Sequence, residues 1–190
     1  SYIRDIIKSM SIYDVEIIEK YAVIFTALSS KKPKITLQIL KKNIVDKNEN
    51  IVKNSLAIIN IMSKKKPKLV SNTIKDITLL FSSKNERLYS EITNSLIILS
   101  KESGEKVGKN ISNVIKSSIN YNRSAKLGLM KVGFEIAKTN PSALKNAVPR
   151  LSKELRNQRW EIREEAANLL GAIGEDNVEL VKESIPGLDR

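Results

Sequence analysis

Apolar residues return every three or four positions along almost the whole chain. In "IIEKYAVIFTAL" the residues Ile17, Tyr21, Ile24, Phe25 and Leu28 share one helical face, and in "LYSEITNSLIIL" Leu88, Ile92, Leu96 and Leu99 do the same. No sustained apolar-polar alternation occurs, and no hairpin dipeptide joins two apolar runs. The pattern predicts an all-α chain. Its breaks are Pro33, Pro67 and Pro141, each just after a helical stretch, with Gly104 in the matching place of "SKESGEK". Proline is tolerated in the first turn of a helix, where its missing N–H would have no partner anyway, so each mark ends one helix and starts another.

The breaks are periodic. Superimposing the apolar faces aligns Ile17, Ile51, Leu88, Ala125 and Ile162, at steps of 34, 37, 37 and 37 residues. Leu28, Met62, Leu99, Ile136 and Ile173 form a second column, and Leu40, Ile74, Ile111, Val148 and Ile185 a third on the alternate helices. A two-helix unit repeated at this length predicts an α-solenoid, in which a single unit cannot bury its apolar face and neighbours stack to share a core. The expected pairs run over about 1–30, 33–65, 67–102, 104–139 and 141–175, followed by a last helix over 177–190, all in one domain. The start without Met and the end inside a sixth pair suit a domain of a longer chain, and removal of an initiator Met explains the start equally well. "SKKKPKL", Ser63 to Leu69, reads on this frame as a corner between units rather than a localisation signal, because "SKKPKI" occupies the preceding corner.

The unit "AVPRLSKELRNQRWEIREEAANLLGAIGE", Ala147 to Glu175, resembles a HEAT repeat. Pro149, Asn157, Ile162, Arg163, Ala166, Ala167, Leu170, Gly171 and Ile173 fall on that family's pattern, and Pro186 in "SIPGL" starts it again. The other units match loosely. At the arginine position they carry Ile18, Val52, Tyr89 and Lys126, and at the turn position Ile12, Asp46, Ser83 and Asn120. The resemblance implies a HEAT-like (armadillo-like) superhelix, with Arg163 bonded to the Asn157 turn. It also implies that the family's polar ladder between repeats is broken in the first half of this chain.

Composition narrows the chemistry. The 190 residues hold 41% hydrophobic and 28% charged side chains, the range of a soluble globular domain, and no apolar run reaches the length of a membrane span. The absence of a signal-peptide stretch makes an intracellular, cytoplasmic protein the expectation. With no Cys and no His, thiolate metal sites, histidine bases and cysteine nucleophiles are absent, and the carboxylates Glu161, Glu164, Glu165, Glu175 and Asp176 meet no nucleophile. No catalytic, cofactor-binding or metal site is expected, and the chain reads as a non-enzyme.

Net charge is +12, unevenly spread: from Asn157 onward 4 basic residues face 8 acidic ones, leaving +16 on the rest. Such a body attracts phosphates or acidic proteins. The resemblance implies that the second helix of each pair lines the concave side. At 100° per residue the face opposite the apolar stripe collects Lys64, Asn94, Ile97, Lys101, Leu127, Lys131, Phe134 and Lys138. Lys64, Lys101 and Lys138 stand one repeat apart and would form a ladder at about 8–10 Å spacing. The same lysines also suit the negative end of the helix dipole. Ile97, Leu127 and Phe134 point where solvent is expected. This mixed face suits a protein partner, above all an acidic amphipathic peptide. Nucleic acid, held through phosphates, is the alternative. Against sequence-specific readout, 25 lysines outnumber 8 arginines and Trp160 is the single tryptophan.

Overall fold

The computed structural model describes residues 6, 9, 15–83, 85–175 and 177–182. Of the expected first helix in "SYIRDIIKSM" the described residues include Ile6 and Ser9, both helical, and Ile12, Asp176, Ile185 and Pro186 lie outside them. Among the described residues every element is helical. Helix α1 (Val15–Lys31) is the second helix of the first unit. The second unit pairs α2 (Pro33–Asn43) with α3 (Glu49–Ser63). In the third unit the first element is broken into α4 (Pro67–Val70), a 3₁₀ turn and α5 (Ile74–Leu79). Helix α6 (Tyr89–Ser117) then closes the third unit and opens the fourth, which α7 (Arg123–Ala137) completes. The fifth pairs a 3₁₀ segment, Pro141–Ala147, and α8 (Val148–Glu154) with α9 (Trp160–Glu175), before the short α10 (Val178–Lys182).

The aligned columns form the spine of the core. Met62, Leu99, Ile136 and Ile173 are fully buried, as are Leu40, Ile74, Ile111 and Val148. Each side chain meets its counterpart's neighbours one repeat away, so burial depends on stacking and not on a single pair. Four glycines mark the tightest approaches, Gly174 among them, where a Cβ would lie 2.9 Å from Val181 Cγ2. A Cβ at Gly108 would lie 2.6 Å from Ala143 Cβ, one at Gly128 2.7 Å from Phe81 Cε1, and one at Gly133 2.9 Å from Leu169 Cδ2.

The four corners share one backbone geometry. Lys32 (φ −138°, ψ 65°), Lys66 (−138°, 53°) and Asn140 (−153°, 63°) precede Pro33, Pro67 and Pro141, each at the start of a new element. Ser103, before Gly104, adopts −145° and 41°. This non-helical residue divides Tyr89–Ser117 into two helices across a kink, so α6 carries the second helix of the third unit and the first of the fourth, with Gly104 at the break between them.

A polar ladder does cross the first half of the chain, displaced from the expected place. Asn48, Asn85 and Asn122, spaced 37 residues apart, each cap a helix by accepting from a backbone N–H: Asn50, Arg87 and Ala125 respectively. Asn85 Nδ2 also donates to Glu49 Oε1 of the preceding repeat (2.9 Å), and Asn122 Nδ2 to Glu86 Oε1 (3.0 Å). At the last step the polarity reverses and Arg123 Nη2 donates to Glu161 Oε1 at 2.8 Å. The caps carry the ladder because their amides have donors to spare once the oxygen is engaged.

Candidate functional site

The second helices α1, α3, the first half of α6, α7 and α9 lie side by side, and grooves run between them. The groove between α3 and α6 encloses about 530 Å³, with Lys53, Asn60, Glu91 and Asn94 among its walls. The next, between α6 and α7, encloses about 350 Å³ and is bordered by Tyr89, Asn94, Leu127 and Lys131. Asn94 stands on the rib between the two and borders both. Helical phase explains the arrangement: Asn94, Lys131 and Leu127 sit on the side turned from the column residues that anchor each helix.

The residues singled out from the sequence divide into three groups. Asn94, Leu127 and Lys131 line the grooves, with Asn94 and Lys131 exposed. Ile97, Leu127 and Phe134 are half-buried and pack on the core, so none is a freely projecting anchor, and Leu127 is the one that borders either of these two grooves. The cause is the neighbouring repeat, which covers one flank of each helix. Lys64, Lys101 and Lys138 are exposed at the C-terminal ends of their helices, away from both grooves. Lys138 is engaged: its Nζ lies 2.7 Å from Glu135 Oε1 and 4.7 Å from the centre of the Phe134 ring.

The repeat-motif residues form a separate cluster. Arg163 Nη1 donates to the carbonyls of Asn157 (2.8 Å) and Gln158 (3.0 Å). Asn157 Oδ1 accepts from the N–H of Arg159, and its Nδ2 donates to Glu154 Oε2 at 2.5 Å. Pro149 is exposed in the first turn of α8. Glu154 is buried and also accepts from Lys126 Nζ, at 2.9 Å, and from Arg150 Nη2. Burial raises the pKa of this carboxyl, but the hydrogen bonds from Lys126 and Asn157 and the charges of Lys126 and Arg150 outweigh it and hold the value below the usual carboxylate range. Lys126 occupies the column position of Arg163, so that position bonds an adjoining turn in the fifth unit and a buried acid in the fourth.

The exposed-face pattern of the second unit gives Lys53 and Asn60, and the first groove pairs them with residues of the next repeat. Asn60 Nδ2 donates to Ser95 Oγ of the next repeat at 3.1 Å, and Lys53 Nζ lies 3.5 Å from Glu91 Oε1. Ser95 could have been found from its column, since the equivalent Ile58, Val132 and Leu169 are buried aliphatics. Tyr89, at the end of the second groove, donates its hydroxyl to the Ser83 carbonyl, and burial pushes the phenol above its ordinary value. Among the described residues no cluster of acidic side chains could hold a metal ion, and no helix is long and apolar enough to cross a membrane.

No family model and no curated protein matches the chain. Solved structures do. A structure described as Crescerin using a TOG domain array to regulate microtubules in the primary cilium superimposes with a TM-score of 0.64 at 11% identity, over 91% of this chain and 78% of that one. A designed armadillo repeat protein in complex with the peptide (KR)4 gives 0.56 at 16% identity, over 88% and 80%. An engineered protein gives 0.59 at 14% identity, over 97% and 85%. The fold is an all-α, armadillo/HEAT-like solenoid.

Proposed function

We propose that this chain is a non-catalytic interaction scaffold that seats an extended protein segment along the grooves between its second helices. The observation that carries the reading is the pair of grooves across α3, α6 and α7, made continuous by the exposed Asn94 they share. A carboxamide offers both donors and an acceptor, which suits the alternating N–H and C=O of an extended backbone. Leu127 adds an apolar side chain to the wall of the second groove, and Leu56 and Ala57 do the same in the first. Exposed Lys131 and the surplus of cations over the body favour acidic residues in the partner. The designed armadillo protein, holding the peptide (KR)4, supports peptide seating on such a fold. That peptide is basic, whereas exposed Lys131 and the basic body around the grooves here favour the opposite charge.

An array of acidic amphipathic peptides probed with the whole chain tests the proposal, followed by solution titration of the best binder. Asn94→Ala and Lys131→Glu, separately and together with Phe134→Ala, are expected to weaken that binder by about tenfold or more each, as for interface anchors. An array without binders, or a binder indifferent to all three substitutions, overturns it.

A further inference from the structure

The basic run "SKKKPKL" acquires a partner in three dimensions. Lys31, Lys32, Pro33 and Lys34 are followed exactly one unit later, at a step of 34 residues, by Lys65, Lys66, Pro67 and Lys68. Lys32 and Lys66 share the same backbone turn within a few degrees of φ, so each corner presents its lysines in the same order. Stacking sets the corners side by side: Pro33 and Ser29 of the first, and Lys65, Lys66, Pro67, Lys68 and Leu69 of the second, line one trough of about 360 Å³. The second row of three lysines thus lines a shallow trough, and the first row adjoins it in sequence on either side of Pro33, at a repeat spacing of about 10 Å. Lys64 adds a further cation at its end.

Three properties set this patch apart from ordinary surface lysine. First, among the described residues none of the seven lysines makes an ion pair or a side-chain hydrogen bond, although Lys41 and Lys53 nearby each reach a carboxylate. Second, the sequence carries no acidic residue from Lys20 to Val45 or from Asn50 to Lys75, so the mutual repulsion of the rows is not relieved locally. Third, the patch is bounded. The next corner places Glu102 and Glu105 where Lys65 and Lys68 stand, and the one after it is neutral, with Thr139, Asn140 and Ser142. The helix dipole accounts for a cation at the end of a helix, such as Lys64, but not for Lys34, which lies in the first turn of α2, where the dipole opposes it.

We infer that these two corners form a docking site for the phosphate backbone of duplex nucleic acid, separate from the grooves and independent of what occupies them. All seven cations are lysines, which meet phosphates as point charges, whereas protein interfaces are enriched in arginine and aromatic residues and depleted of lysine. No aromatic residue lines the trough, so stacked single-stranded bases find no platform. A bilayer surface would favour large apolar side chains among the cations, and the one exposed large hydrophobic residue within the two corners is Ile35. Two lysine rows beside a trough follow a cylinder of charge better than a plane. Recognition is sequence-independent, because base edges are read by arginine forks and amides that this patch lacks.

The test is fluorescence anisotropy of a labelled random-sequence duplex, titrated with the whole chain at several salt concentrations from about 50 to about 200 mM. The expected result is binding whose logarithm falls linearly with that of salt, with a slope magnitude of about 4 to 6, at about 0.9 per phosphate neutralised. The corner variant Lys31→Gln, Lys34→Gln, Lys65→Gln, Lys68→Gln removes the two exposed in-register pairs and is expected to lower that magnitude by about 3 to 4. A control with the same loss of charge, Lys116→Gln, Lys145→Gln, Lys153→Gln, Arg156→Gln, is expected to keep the wild-type slope to within about 1. Circular dichroism melting confirms that both variants fold. The inference is overturned by absence of duplex binding at the lowest salt, or by equal loss of slope in the two variants. Binding to phosphatidylserine vesicles without binding to duplex, or a corner-dependent affinity for acidic peptide alone, overturns it equally.

Discussion

Replacing Glu154 by Gln tests how the fourth and fifth units are locked together. Glu154 Oε1 accepts from Lys126 Nζ at 2.9 Å and from Arg150 Nη2, and Oε2 accepts from Asn157 Nδ2 at 2.5 Å. In Glu154→Gln the charge is lost and one oxygen becomes a donor, which then faces another donor. Lys126, only 7% exposed, is left as a buried cation with no carboxylate. A buried ion stripped of its partner costs about 3–5 kcal/mol. Lys126→Met is milder, because Glu154 keeps Arg150 and Asn157, and the loss of one charge-assisted hydrogen bond costs about 1.5–3 kcal/mol. Urea unfolding can be followed by the fluorescence of Trp160, the single tryptophan, which sits at the start of α9 and reports on the fifth unit. Far-ultraviolet circular dichroism follows the whole chain in parallel. The folded carboxyl titrates below its unfolded value, so its contribution is complete above the ordinary carboxylate range and disappears as pH falls through the folded value. The gap between wild type and Glu154→Gln should therefore close in acid. A loss smaller than about 1 kcal/mol, or a Lys126→Met variant less stable than Glu154→Gln, would refute the reasoning.

Three further outcomes are expected. Gly108→Ala should destabilise by about 1–2 kcal/mol, since its Cβ would fall 2.6 Å from that of Ala143 and overpacking outweighs the better helix propensity. Adding Ala143→Gly should recover most of it, and a double-mutant thermal cycle that is merely additive contradicts a direct clash. Gly104→Pro should be tolerated, or stabilise by up to about 1 kcal/mol, because the other corners carry proline and a Cβ at Gly104 meets nothing within 4 Å; a drop in melting temperature would show that the α6 backbone needs this N–H. Asn85→Ala should cost about 0.5–2 kcal/mol through loss of the cap and of the bond to Glu49, with faster amide exchange at Arg87.

The sequence by itself determined the repeat. Apolar spacing fixes which face of each helix is buried, and proline or glycine fixes where the chain must turn, because both are local properties of the backbone. That is why columns such as Met62, Leu99, Ile136 and Ile173 could be read directly and prove to be the core. The likeness of the last unit to a HEAT repeat rested on the same local pattern.

Only the tertiary structure decided which polar residues meet. Asn60 and Ser95 are 35 residues apart, and Asn85 and Glu49 are 36 apart; their bonds depend on the rotation and rise between units, which no single helix encodes. Stacking also changed the meaning of exposed positions. It turned Ile97, Leu127 and Phe134 from projecting anchors into half-buried residues packed on the core, and it moved the most concentrated charge away from the Lys64, Lys101 and Lys138 column. The lysines of "SKKKPKL" look like one end of a helix when read along the chain. Placed beside those of the preceding corner, they become one half of a doubled cationic site, because stacked repeats bring residues one period apart to the same edge.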